Sequence, residues 1–146
     1  MPTAALGAAS DPHIFVGPGS VSESDLPDLL RQLAAADPTL RAEAADDLGS
    51  LGVKAKPAAQ ALTRALGDAT PAVRAAAAGA LLRIAPRDPA PLAALQADLS
   101  SNDPAARRAA ANAAGFAAAQ GATLAPILAQ LLADPDDATR LSALQS

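Results

Sequence analysis

Residues 68–85 read DATPAVRAAAAGALLRIA, and the same design recurs 33 residues to either side. Arg74 is matched by Arg41, Arg107 and Arg140, each one period apart with no insertion or deletion. Just upstream, Leu62 is matched by Leu29, Leu95 and Leu128, and Leu66 by Leu33, Leu99 and Leu132. Three columns of four identical residues at one period do not follow from composition, even in a chain rich in Ala and Leu. A period of this length marks a solenoid of stacked supersecondary units, each burying its apolar face on its neighbours.

Each unit reads as two helices. The first carries Leu26, Leu29, Leu30 and Leu33, a spacing that fills one helical face. Its equivalents are 58–66, 91–99 and 124–132. Pro57 and Pro91 fall inside the first turn of these helices, where a missing N–H is harmless, and Pro27 and Pro126 fall at the second or third position. The second helix opens on a repeated capping signal, Asp37-Pro38, Thr70-Pro71 and Asp103-Pro104, with Asp136-Asp137 in the fourth slot. Core positions then follow at Leu40, Ala44, Leu48 and Leu51, and at Val73, Ala77, Leu81 and Ile84. In the third unit they shrink to Ala106, Ala110, Ala114 and Ala117. Gly52 and Gly121 suit left-handed helix ends, and Pro86 and Pro89 stop the intervening helix sterically.

The composition agrees with helices packed through small side chains. Hydrophobic residues make up 51% of the 146, yet aromatics supply 1%. The absence of Cys removes disulfides and thiol chemistry. A net charge of -4 leaves no basic excess to neutralise phosphates, which disfavours nucleic acid as a partner. Nine Arg against two Lys, with abundant Ala and Pro, suggests a GC-rich bacterial source. No apolar run approaches the roughly 20 residues of a membrane span, and the first residues lack the basic start of a secretory signal. The expectation is a cytoplasmic protein.

Residues 1–23 are rich in Gly, Pro, Ser and Thr without helical period, and read as a flexible tail. Within them His13-Ile14-Phe15-Val16 is an apolar island able to dock on the open end of the first unit. Residues 24–146 form the repeat domain. The chain stops partway through the fourth second-helix, so the expectation is a fragment of a longer chain whose free end frays.

Thr70-Pro71, Ala75-Ala76 and Gly79 are similar to an ankyrin signature, but no other unit repeats it. The pattern at Asp68, Pro71, Val73, Arg74, Ala77, Ala78 and Leu81 instead resembles HEAT repeats of the short, phycobilisome-lyase-like form. It returns at Asp37, Pro38, Leu40, Arg41, Ala44, Ala45, Leu48 and Gly49, and at Asp103, Pro104, Arg107, Ala110, Ala111 and Gly115. In the fourth unit Thr139 replaces the Val before Arg140. The resemblance implies an all-α fold, a right-handed α-solenoid of about three and a half HEAT-like helix pairs. It also implies a structural ladder between repeats built on Arg41, Arg74, Arg107 and Arg140. Each of these Arg stands four residues after a capping position, so pairing with a local Asp is a second option.

No residue combination reads as catalytic. His13 has no partner at metal or triad spacing, and Glu43, Asp46 and Asp47 lack the Gly-rich loop of a cation site. No cofactor is expected. The resemblance implies a non-catalytic protein–protein scaffold, with a subunit of a phycobilin lyase or isomerase as the alternative. In such scaffolds the second helices line the concave side. Their non-core positions here are Glu43, Asp46, Asp47 and Ser50, then Ala76, Gly79, Ala80 and Arg83, then Ala109, Asn112, Ala113 and Phe116. Glu43, Asp46, Asp47, Arg83, Asn112 and Phe116 are the expected partner-binding residues, acidic at one end and suited to a partner with a basic segment beside an apolar one.

Overall fold

A computed structural model describes residues 21–119 and positions 127, 129 and 133, the side chains of 116–119 excepted. The apolar island at His13, Gly121, Pro126, Arg140 and the side chains of Phe116 and Ala117 therefore lie outside the described residues. Among the described residues six α-helices are bounded, in order: α1 Leu26–Leu33, α2 Pro38–Leu51, α3 Ala59–Ala65, α4 Pro71–Ile84, α5 Ala90–Leu99 and α6 Pro104–Ala119. Among the described residues there is no strand. The helices pair as α1/α2, α3/α4 and α5/α6, three stacked units of an all-α solenoid, with a first (A) and a second (B) helix in each.

The B helices begin as their sequence dictates. Pro38, Pro71 and Pro104 each take the first helical position, where no N–H is required. The Asp37 carboxylate accepts from the Thr39 N–H at 2.9 Å, and that of Asp103 from the Ala105 N–H at 2.9 Å. Thr70 departs from expectation, since its hydroxyl makes no capping bond. Asp68 braces that turn instead, accepting the Thr70 N–H at 2.9 Å. Pro57 also departs. It lies in a 3-10 segment, Gly52–Ala58, and the α-helix begins after it at Ala59. The Pro ring and its missing N–H disrupt α-helical bonding there, so the second A helix is short. Gly52 ends α2 at φ +56°, a conformation that strains any residue with a Cβ.

Two apolar clusters fill the stack. Leu29, Leu33, Leu48, Leu62, Leu81 and Ile84, with several Ala, form the first. Leu95, Leu99, Ala78, Ala110, Ala111, Ala114 and Ile127 form the second. Leu62 is wholly buried, and half-buried Leu66 touches both clusters, joining one core to the next. Ile127 is helical and buried, although the leucine columns do not include it. Leu40 is 41% exposed where its counterpart Val73 is fully buried, a departure from the expected core. The reason is position in the stack: Val73 lies in a unit flanked on both sides, while Leu40 belongs to the first described unit.

The B helices carry the stacking. α4 packs broadly on both α2 and α6, whereas α1 and α3 touch little. Ala75, Ala77, Ala78, Gly79 and Ala80 of α4 are all buried, and side chains this small let helix axes approach closely. At the closest point a Cβ placed on Gly49 would stand 3.0 Å from the Ala80 Cα and 3.1 Å from its Cβ.

Leu62→Ala is expected to lower the unfolding free energy by about 2–5 kcal/mol, and Leu40→Ala by clearly less, both read from urea denaturation. Gly49→Ala sets a helix-propensity gain of about 1 kcal/mol against an overpacking cost of about 1–3 kcal/mol. The atom in the way is backbone and cannot rotate aside, so overpacking wins and the variant is less stable than the parent.

Candidate partner-binding groove

The Arg column sits at the junctions between units. Arg41 forms a two-pronged pair with Asp68 of the next unit, Nε to Oδ2 at 2.8 Å and Nη2 to Oδ1 at 3.0 Å. Its Nη1 donates to the carbonyls of Ala35 and Ala36, in the turn between α1 and α2. Arg74 repeats this, donating from Nη1 to the carbonyls of Asp68 and Ala69 and from Nε to Asp98 at 3.0 and 3.1 Å. Arg107 donates to the Ser101 carbonyl at 2.9 Å. The acid changes place between junctions because the period sets Ser101 where Asp68 stands, and Asp98 in the last turn of α5 takes over. The local Asp37 and Asp103 are occupied as caps.

A groove of about 510 Å³ opens on the B-helix face. Its floor is α4, through Ala72, Ala75, Ala76, Gly79 and Arg83. One wall is α2, through Asp46 and Ser50, and the other is α6, through Ala109, Asn112 and Ala113. The repeat explains the set: Asp46, Gly79 and Asn112 occupy one column of the 33-residue period, and Ser50 and Arg83 share another. Gly79 lies mid-helix, and a Cβ built on it would meet nothing within 4 Å. Its missing side chain deepens the groove.

Of the residues expected on this face, Asp46, Arg83 and Asn112 line the groove together. Glu43 and Asp47 lie outside the lining: Glu43 is exposed, and Asp47 is half-buried under the influence of Glu43 and Asp25. Ala80 is buried in contact with α2, leaving Ala72 and Ala75 to complete the floor. These two were missed, although Ala72 is one turn before Ala76 on the same face and so was within reach of the helical period. The side chain of Phe116, in the column of Ser50 and Arg83, lies outside the described residues.

The acids of the groove and of the ladder differ in environment. Asp46 keeps a solvent-exposed surface, yet the surrounding protein displaces much of its water. This desolvation raises its carboxyl above the usual range, with Arg83 opposing and Asp47 and Glu43 adding to the effect. Asp47 is raised by the same cause, then by Glu43 and Asp25. Burial lowers Arg83, and Asp46 pulls it back up. Asp68 moves the other way, lowered by its hydrogen bonds from Arg41 against some desolvation, and further by the Thr70 N–H. Among the described residues no three His, Cys, Asp or Glu side chains converge as metal ligands, and no helix is long and apolar enough to cross a membrane.

The sequence profile of HEAT repeats matches residues 26–114, well over half of the chain. With the paired, stacked helices, this shows that the chain belongs to the HEAT-repeat family. The match is to HEAT repeats as such and does not divide them into subclasses. HEAT repeats in general mediate protein–protein interaction and are non-catalytic scaffolds. No curated protein matches the chain.

The carboxyl shifts fix the sign of the pH response. Asp68, lowered in the fold, stabilises above its unfolded pKa of about 4, and that stability is lost as pH falls through its depressed value. Asp46 and Asp47, raised in the fold, bind protons more readily folded than unfolded, so stability rises as pH falls from neutral toward about 4. Thermal midpoints should therefore peak in mildly acidic solution. Asp46→Asn should raise the midpoint at neutral pH and flatten the rise. Asp68→Asn should lower it at neutral pH and flatten the acid-side fall, whereas Asp28→Asn, which breaks an exposed pair with Arg31, should change little.

Proposed function

We infer that this protein is a non-catalytic scaffold whose B-helix face holds a partner protein or peptide. The observation that carries this is the groove itself, an open, largely apolar channel floored by Ala and Gly and edged by Asp46, Ser50, Arg83 and Asn112. Small residues admit the partner's atoms close to the α4 backbone, and the few polar groups at the edges set its register. Glu43, Asp46 and Asp47 favour a partner with a basic segment and raise its association rate. Phe116 shares the repeat column of Arg83, and that column alone nominates it as an aromatic anchor.

A photo-crosslinking amino acid at Asn112, exposed on the groove wall, tests this against one at Gln60, exposed on an A helix. In the cells of the source organism, the Asn112 position should yield discrete protein adducts that Asp46→Lys with Asp47→Lys diminishes at least tenfold. Adducts from Gln60 alone would move the binding face to the A helices.

A further inference from the structure

We propose that the outer face of the first unit ends the stack, and that Glu43 and Asp47 keep a second copy of this chain from docking on it.

The repeat columns show what this face has exchanged. α2 packs on α1 and on α4, and the side it turns away from α4 is the side that each later B helix turns to the unit before it. On α4 that side holds Ala76, packed against the first core, and buried Ala80, which meets Gly49 of α2. One period on, α6 carries Ala109 and Ala113 in the same two places. One period back, α2 carries Glu43 and Asp47. Small neutral side chains therefore stand where units meet, and carboxylates on the outer side of the first. Leu40 shares that side and is 41% exposed, where its counterpart Val73 is buried.

The ladder stops at the same face. Each junction pairs an Arg of one unit with an acid of the next, Arg41 with Asp68 and Arg74 with Asp98. The two places that supply these acids correspond, in the first unit, to Ala35 and Gln32. Neither is a carboxylate. An Arg brought up by a unit stacked in front would lose water at the junction and find no anion to pair with.

The two acids are kept at a cost to their own helix. They stand one turn apart on α2, and like charges at that spacing destabilise a helix. Desolvation raises the Asp47 carboxyl, and Glu43 and then Asp25 raise it further. A helix laid over them as α4 is laid over α2, through residues as small as Gly49 and Ala80, would strip their remaining water and return no hydrogen bond. A polar outer face of this kind keeps the end unit of a repeat array from associating.

The test compares the full chain with its Glu43→Ala/Asp47→Ala variant by sedimentation velocity and light scattering over a hundredfold range of concentration. The parent is expected to stay a monomer and the variant to self-associate at least tenfold more tightly. Ala favours a helix over Glu or Asp, so the variant's helical spectrum and a thermal midpoint no lower than the parent's show that association is not a result of unfolding. Adding Leu40→Asp returns a charge to the face and is expected to restore the monomer. A folded double variant as monomeric as the parent overturns the proposal. So does a parent that associates as tightly as the variant, or association that persists with Leu40→Asp in place. Where the Ala variant loses its fold, Glu43→Gln/Asp47→Asn, which removes the charge and keeps the shape, is judged by the same criteria.

Discussion

Close approach of consecutive B helices through Ala and Gly is the contact on which the rest of this solenoid depends. With almost no aromatic side chains, the chain cannot fill wide gaps between helices. It closes them instead, bringing Gly49 against the backbone of Ala80 and burying a run of Ala along α4. Contacts of this kind are individually weak and numerous, and they leave little room for change, because the atoms that meet are backbone or Cβ. The A helices keep the larger leucines, with Leu62 buried in the first core and Leu66 bridging from it to the next. The stack is therefore held together mainly along its B helices, while consecutive A helices touch little.

Charge is divided along the same lines. At the junctions, Asp68 and Asp98 are paired with Arg41 and Arg74, and those arginines also tie down carbonyls at the A–B turns of their own units. One side chain thus braces a turn and sets the register of the next unit. On the inner face, Asp46 is pushed toward protonation by desolvation and by the neighbouring Asp47 and Glu43. Groups that cost stability without serving the fold are characteristic of surfaces kept for binding, and this cost falls on the wall of the groove.

Two of the helical glycines, Gly49 and Gly79, show how one residue type serves two ends. Gly49 is needed because Ala80 leaves no space for a side chain; Gly79 has space and leaves it empty. A glycine inside a helix costs roughly 0.5–1 kcal/mol relative to Ala, and packing repays that cost at Gly49. At Gly79 no described atom lies within 4 Å of a built Cβ, and the room it leaves is part of the groove.

The 33-residue period alone determined the helix pairs, the leucine columns and the Pro-led starts of the B helices, because these depend on local spacing and recur in every unit. It also placed Asp46, Arg83 and Asn112 on the B-helix face, since non-core positions of a helix follow from its core positions. Tertiary structure decided what depends on a neighbour. Leu40 and Val73 occupy one column, yet one is exposed and the other buried, because among the described units only the second has a neighbour on each side. Arg74 reaches Asp98 rather than a column-matched acid because Ser101 has no charge to offer. Gly49 and Gly79 are both helical glycines in sequence, and their opposite roles follow from the distance to the adjacent helix, which no local pattern encodes.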